Sequence, residues 1–285
     1  TFSSLLELYG WMIESKLERR TPVVAVGGGA VGDAAGFAAA TYFRGLPLVH
    51  VPTTLLAMVD SSIGGKTAVN HPAAKNAVGT FHQPLMVASD IEALTGLGRD
   101  EFIAGMAEVV KYALLYDKPF ADWLASHWNS AVEERDPGAL VKMIHRCAAL
   151  KAAAVSGDER DLTGKRELLN FGHTVGHALE TATNFRHFRH GEAVTWGMRA
   201  ALELSKNRTR MPRADQALAE ALVLRLPSIA WPKGLGRDAV VEALTKDKKI
   251  SASRNVFVLL KAIGRPFRAN DVARSEILSV LSRIQ

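Results

Sequence analysis

The sequence has little cysteine, little proline and no long apolar run. Its 285 residues include 1 cysteine and 11 prolines, so an internal disulfide and a proline-rich fibre are both excluded. No stretch offers the ~18 consecutive uncharged apolar residues that a membrane-spanning helix needs. The start of the chain also lacks the charged and then apolar pattern of a secretory signal peptide. These absences predict a soluble, cytoplasmic protein that does not enter a membrane.

The chain is basic, but it lacks a long basic run and it lacks aromatic residues interleaved with basic ones. The 35 lysines and arginines exceed the 29 aspartates and glutamates, which gives a net charge of +6. Charge spread in this way favours a small anion as the ligand and does not predict nucleic-acid binding. With 48% hydrophobic residues, the chain has enough apolar material for one large core or two smaller ones.

An initiator methionine is also lacking. The chain begins at Thr1 and enters an amphipathic pattern over residues 5–17 that predicts a helix. We therefore expect that the beginning of the chain is missing from this sequence.

The first hundred residues predict a βαβ unit. Three short apolar runs predict buried parallel strands, at residues 23–26, 46–51 and 85–88. An alanine-rich segment ending near residue 42 predicts a helix between the first two strands. Residues 60–84 are polar and rich in glycine, which predicts a long functional loop.

Beyond about residue 98, apolar residues recur with a helical period. Helices are predicted over residues 101–116, 119–128, 138–156, 168–183, 191–206, 214–224 and 272–283. Only residues 256–260 predict a strand in this part. The predicted class is therefore α/β, with an N-terminal Rossmann-like, nucleotide-binding domain over residues 1–97, its front part expected to be missing. An all-helical, metal- and substrate-binding domain over residues 98–285 follows it.

A glycine motif follows the first predicted strand. Gly27, Gly29 and Gly32 match the pattern G-x-G-x-x-G at the start of a helix, where backbone amides can approach a pyrophosphate. The acidic residue expected about 20 positions later is absent from residues 49–54. A dinucleotide site and a purely structural strand-to-helix turn both remain open.

The polar segment between the second and third strands carries several donors. Gly64, Gly65 and Lys66 suggest a P-loop, but that motif needs glycine at position 60, where the chain has aspartate. Lysines beside glycines favour a phosphate or carboxylate ligand, and a solvated loop explains them equally well. The donors concerned are Asp60, Lys66, Asn70, His71, Lys75 and Asn76.

Histidines and a glutamate predict a metal site. His173 and His177 are four residues apart, a spacing that places both on one face of a helix. His190 begins the next predicted helix, and Glu108 lies in an apolar helical segment where a lone carboxylate is costly. Two histidines and one glutamate would form an open zinc-type site. Taken singly, each residue could instead be a hydrogen-bonded histidine or a Glu108–Lys111 helix pair.

These segments, taken in order, resemble the 3-dehydroquinate synthase family of the sugar phosphate cyclase superfamily. The resemblance covers nearly the whole chain. It is carried by residues 27–33, 41–45, 51–57, 59–67, 105–112, 168–180, 190–194 and 247–249.

The resemblance implies the following site. A divalent metal, zinc or cobalt, would be bound by Glu108, His173 and His190. NAD would be bound by Gly27, Gly28, Gly29, Ala30, Val31, Asp33, Thr53, Thr54, Lys66 and Lys75. Catalytic and substrate-contacting positions would be Asp60, Lys66, Lys75, Asn76, Lys111, Lys151, Arg166, Asn170, His177 and Lys248, with Lys249 as the alternative to Lys248. Arg44 would bind phosphate in the neighbouring subunit of a homodimer.

The resemblance also implies an activity. The family substrate, 3-deoxy-D-arabino-heptulosonate 7-phosphate, is converted to 3-dehydroquinate and phosphate in the shikimate pathway of aromatic amino acid biosynthesis. The steps are transient NAD-dependent oxidation, phosphate elimination, reduction and intramolecular aldol closure. This would make the chain a carbon-oxygen lyase acting on a sugar phosphate.

Three alternatives remain open. One is another sugar phosphate cyclase, such as a 2-deoxy-scyllo-inosose or 2-epi-5-epi-valiolone synthase. A second is a metal-dependent glycerol or alcohol dehydrogenase, which would form NADH in a net reaction. The third is a non-catalytic fragment that acts as an interaction module.

Overall fold

The computed structural model describes residues 1–71, 74–226, 229–247 and 256–285. They form two compact units: Thr1–Phe102 with Ile144–Leu162, and Ile103–Met143 with Thr163–Gln285. The domain boundary after residue 97 stays a prediction. Among the described residues, the helices are too short or too polar to span a membrane.

The chain alternates strands and helices at its beginning and is mainly helical afterwards. The strands are β1 (Val23–Gly27), β2 (Leu48–Pro52), β3 (Lys66–His71), β4 (Ala74–Phe81), β5 (Met86–Val87), β6 (Phe257–Ala262) and β7 (Arg265–Ala269). The helices are α1 (Phe2–Glu14), α2 (Gly29–Thr41), α3 (Arg99–Tyr116), α4 (Lys118–Ser126), α5 (Pro137–Ser156), α6 (His173–Ala182), α7 (His190–Arg208), α8 (Arg213–Arg225), α9 (Arg237–Asp247) and α10 (Arg274–Ile284).

The first unit contains a parallel sheet with the strand order β1-β2-β5. This confirms the α/β class and the predicted βαβ unit, in which α2 connects β1 to β2. Apolar side chains from α1, α2 and the strands form one core, because each element buries one face. Its buried members are Leu5, Met12, Ala25, Ala38, Ala39, Leu46, Leu48 and Val69.

The predicted loop over residues 60–84 is wrong in its central part. Strands β3 and β4 pair there as an antiparallel hairpin. Thr67 and Val69 are buried and alternate with more exposed neighbours, which is the period of a strand with one covered face. Because only two residues on that face are buried and the surrounding residues are glycine, asparagine and lysine, the alternation is too short to stand out in the sequence.

The second unit is not all-helical, so that part of the prediction is wrong. β6, which overlaps the predicted strand at 256–260, pairs with β7 in a second antiparallel hairpin. The two strands are joined through Gly264, whose φ of +79° suits glycine. β7 was missed because Arg265 and Arg268 interrupt its apolar character. Helix α9 was also missed, although Val240 and Leu244 are buried in it.

Helices α3, α6 and α7 approach one another closely because glycines lie at their contacts. A Cβ atom on Gly191, in α7, would overlap the main chain of Ala104 in α3. A Cβ atom on Gly197 would overlap the carbonyl oxygen of Gly172, just before α6. Only residues without a side chain allow main chains to come this near. The predicted helix over 168–183 is interrupted at Gly172, whose φ is +80°.

Candidate functional site

Helix α3 holds a buried carboxylate at Glu108. Its side chain is 1% exposed and forms an ion pair with Lys111 one turn later. Among the described residues, its Oε1 atom has no hydrogen-bond partner. Burying a carboxylate oxygen without a partner is costly unless a cation satisfies it. Glu108 is therefore suited to be a metal ligand.

His173, the first residue of α6, lies beside this carboxylate. Its Nε2 atom is 3.5 Å from Oε1 of Glu108. Its Nδ1 atom is 3.2 Å from the carbonyl oxygen of Phe171. An Nδ1–H that donates to this carbonyl leaves the lone pair on Nε2, the nitrogen that faces Glu108.

His190, the first residue of α7, completes a group of three. Its Nε2 atom is 3.8 Å from Oε1 of Glu108. One ligand atom from each of Glu108, His173 and His190 lies within 4.8 Å of the others. Two imidazoles and one carboxylate are a donor set that suits zinc or cobalt and leaves positions for substrate oxygens. These residues, with the orphaned oxygen of Glu108, fit a divalent metal.

The two histidines differ in acidity. Burial lowers the pKa of His173 well below its usual value, and the positive charge of Lys111 lowers it further. His173 is therefore neutral at pH 7 and able to bind a metal. Burial also opposes protonation of His190, but its hydrogen bond to Glu180 and the charge of Glu108 outweigh burial and raise its pKa.

Other predicted residues of the second unit lie near this group. The His177 ring centroid is 5.3 Å from that of His173 and 6.1 Å from that of His190. Arg166, which is buried, and Asn170, which is exposed, lie in the short 3-10 turn Lys165–Asn170 that leads into α6. The structure therefore brings Lys111 and His177 to the metal group, and it places Arg166 and Asn170 on the adjoining turn.

Two predicted lysines of the first unit are paired with aspartates. Lys151 is 2.7 Å from Oδ1 of Asp60, and Lys66 is 2.6 Å from Oδ2 of Asp161. Asp161 was not predicted from the sequence, where it is one of several charged residues in a polar run. Its positive φ of 53° is the signal that marks it, and only the structure gives that signal.

The hairpin of β3 and β4 carries the remaining predicted residues of its segment. Asn76 has a φ of +54°, and its main-chain N–H donates to Oδ1 of Asn70 at 3.0 Å. The Lys75 side chain, Lys248 and Lys249 lie outside the described part of the chain.

The glycine turn lies at the carboxyl ends of β1 and β2. The N–H of Thr53 donates to the carbonyl of Gly27 at 3.0 Å. A Cβ atom on Gly28 would come within 3.0 Å of Thr54, and one on Gly29 within 2.9 Å of the Ser61 hydroxyl oxygen. Glycine is needed here for the turn to pack. Carboxyl ends of adjacent parallel strands are where nucleotides bind in α/β sheets.

The other predicted nucleotide contacts lie in the first turns of α2, whereas Arg44 follows the C-terminal end of that helix. Ala30 and Val31 are exposed in the first turn of α2, and Asp33 is half-buried one turn later. Arg44 is exposed, and it follows Phe43 in a segment where both residues have positive φ, +48° and +68°. Such backbone conformations are costly for residues with side chains and often accompany function.

Two family models together match most of the chain. The family model described as 3-dehydroquinate synthase N-terminal matches residues 1–104, and the one described as 3-dehydroquinate synthase C-terminal matches residues 105–250. The 3-dehydroquinate synthase of Nitrosomonas europaea is 43% identical over 278 residues, which are 96% of this chain and 74% of that protein.

Two solved structures are similar over the whole fold. One is 2-epi-5-epi-valiolone synthase from Streptomyces hygroscopicus subsp. jinggangensis with NAD+ and Zn2+ bound; its TM-score is 0.89 at 30% identity, covering 100% of this chain and 79% of that one. The other is 2-deoxy-scyllo-inosose synthase complexed with carbaglucose-6-phosphate, NAD+ and Co2+; its TM-score is 0.86 at 32% identity, covering 99% and 79%.

Proposed function

Because the chain belongs to the 3-dehydroquinate synthase family, we propose that Glu108, His173 and His190 are its metal ligands and that the glycine turn at residues 27–33 binds NAD. It is an NAD- and metal-dependent lyase that converts 3-deoxy-D-arabino-heptulosonate 7-phosphate to 3-dehydroquinate and phosphate. The observation that carries the site is the orphaned Oε1 of Glu108 facing two histidine nitrogens.

The cofactors supply chemistry that side chains lack. A metal held by Glu108, His173 and His190 would supply a Lewis acid for the substrate hydroxyl, and NAD held at the glycine turn would supply reversible hydride transfer. Lys111 neutralises part of the charge of Glu108 by its buried ion pair, which reduces the cost of keeping that carboxylate ionised. His177 and Asn170, both exposed, supply hydrogen-bonding groups that can orient the sugar hydroxyls.

Charged residues suit the anionic substrate. We assign substrate contacts to Asp60, Lys66, Lys75, Asn76, Lys111, Lys151, Arg166, Asn170, His177 and Lys248. The pair Lys151–Asp60 holds one of these lysines, 9% exposed, in a defined position, and Lys66 pairs with Asp161 at the surface. A lysine held in place loses less conformational freedom when it binds a phosphate or carboxylate, so the entropic cost of ordering its side chain is smaller.

Two further proposals concern assembly and location. The exposed Arg44, on a backbone with two successive positive φ angles, supports a role for Arg44 as a phosphate ligand supplied to a second copy of the chain in a homodimer. The single cysteine supports a reducing cytoplasm as the location. Both proposals can be tested by the oligomeric mass in solution and by fractionation of the source cells.

Phosphate release tests the function. Purified protein with NAD and Zn2+ or Co2+ should release phosphate from the heptulosonate phosphate, and a chelator should stop the release. NADH should not accumulate, which distinguishes a cyclase from a dehydrogenase. Carbaglucose-6-phosphate, the ligand named in the inosose synthase structure, should compete weakly. Failure of the metal-loaded protein to release phosphate would contradict the proposal.

A further inference from the structure

A second buried carboxylate lies next to the three proposed metal ligands Glu108, His173 and His190. Glu180 is 4% exposed, and its Oε1 atom is 3.4 Å from Nδ1 of His190. The opposite nitrogen of the same ring, Nε2, is the one that faces Glu108 at 3.8 Å. The imidazole of His190 therefore lies between two carboxylates, one on each ring nitrogen.

The position of Glu180 follows from helix geometry. His173, His177 and Glu180 occupy positions i, i+4 and i+7 of α6, so they lie along one face of that helix. Helix α7 begins at His190 and contacts α6 through main-chain atoms, since a Cβ atom on Gly176 would lie 3.1 Å from the carbonyl of Ala193. This close contact brings His190 to the face of α6 that carries Glu180.

The two histidines are oriented by different acceptors. Nδ1 of His173 faces the main-chain carbonyl of Phe171, whereas Nδ1 of His190 faces a carboxylate. A carboxylate that accepts the second ring N–H fixes the ring and its tautomer, and makes the other nitrogen a stronger donor to a metal. A carbonyl fixes the ring but carries no charge.

We propose that Glu180 is a positioning residue that holds His190, with Nε2 free, in the orientation needed for metal binding. The proposal rests on the assignment of Glu108, His173 and His190 as metal ligands. A second cation bound by His177, Glu180 and His190, whose ligand atoms also lie within 4.8 Å of one another, is the rival interpretation. It differs in stoichiometry, because it requires two metal ions per chain.

The test measures metal binding directly, without substrate. The affinity of the full chain for Zn2+ is obtained by competition with a chelator, and the visible spectrum is recorded after loading with Co2+. E180A should weaken Zn2+ binding about 10- to 100-fold and shift the Co2+ spectrum. E180Q retains an amide oxygen that can accept from Nδ1–H, so it should restore part of the affinity but not the wild-type spectrum.

A matched control separates positioning from simple loss of stability. Asp215 is also a buried carboxylate of the second unit; it pairs with Lys118 and accepts from the N–H of Ile263. D215N should lower stability and leave Zn2+ affinity and the Co2+ spectrum unchanged.

The possible outcomes are distinct. Wild-type affinity and spectrum in E180A and E180Q would overturn the role of Glu180. Two metal ions per wild-type chain, falling to one in E180A, would overturn it in favour of the second cation site. Failure of the wild-type chain to bind any metal would instead overturn the ligand assignment under the proposed function. One ion per chain with weakened binding in E180A supports the proposal.

Discussion

The ammonium group of Lys151 lies 2.7 Å from Oδ1 of Asp60, and the Lys151 side chain is 9% exposed. The two residues are 91 positions apart in the sequence. Their pairing joins α5 to the short π-helical turn Ala57–Ser61 inside the first unit. A lysine so nearly buried must be compensated by charge, and Asp60 provides it.

Replacing this lysine should affect both stability and activity. K151M removes the ammonium group that pairs with Asp60, so the free energy of unfolding should fall by about 1–3 kcal/mol. Phosphate release should fall about 100-fold if Lys151 orients substrate. Denaturant titration and a phosphate assay measure the two effects. K142M, which changes an exposed lysine of the same helix, should leave activity intact; equal losses in the two variants would contradict the prediction.

Removing one proposed ligand should abolish metal retention. H173A deletes the nitrogen that lies 3.5 Å from Glu108, and leaves two protein ligands where a catalytic zinc site uses three. The metal content after gel filtration, measured by atomic emission, should fall from one ion per chain to near zero. H187A removes an exposed histidine whose Nε2 atom lies 3.3 Å from the carbonyl oxygen of Ala230, and this variant should keep its metal. Full occupancy in H173A would show that the ligand assignment is wrong.

The glycine contact between α6 and α7 should not tolerate a side chain. G197A places a methyl group where the carbonyl oxygen of Gly172 lies, so the helices must separate. We expect a loss of about 3 kcal/mol in unfolding free energy and weaker metal binding, because His173 and His190 begin these two helices. G236A, for which a Cβ atom meets nothing within 4 Å, is the control. A free energy of unfolding equal to that of the wild type in G197A would contradict the close approach of these two main chains.

Acid should weaken one ion pair in a defined pH range. Nε and Nη2 of Arg208 donate to Glu276 at 2.8 and 2.7 Å. The Arg208 side chain, followed by the N–H of Ala273, lowers the pKa of Glu276 from 4.5 to about 2. The stabilisation that ionised Glu276 gives to the folded state is therefore fully present above about pH 4.5 and is lost as the pH falls towards 2.

The variant E276Q tests this pH range. E276Q should lower the free energy of unfolding by only about 1 kcal/mol at pH 7, because the ion pair is partly exposed. The difference from wild type should shrink between pH 4.5 and 2 in urea titrations. D238N, in the exposed pair with Arg274, should show a smaller difference from wild type. A constant difference for E276Q across this range would argue against the pair.

The sequence predicted the features that local patterns encode. His173 and His177 share a helix face because they are four residues apart, and the glycines of residues 27–33 follow a buried strand. In contrast, Asp161 and Glu180 contact partners that are distant in the chain or lie on another helix. The residues that flank them in the sequence give no signal of these contacts. The sequence patterns do not predict the two hairpins, because β3 buries only two residues on its covered face and arginines interrupt β7.

The glycines between α3, α6 and α7 also have a kinetic consequence. Because main-chain contacts between the helices set the spacing of Glu108, His173 and His190, the three proposed ligands are preorganised before any ion arrives. Metal uptake should then require no refolding step. We expect the exchange of one metal for another to follow the dissociation of its coordinate bonds, at a rate that mild denaturant below the unfolding transition does not change.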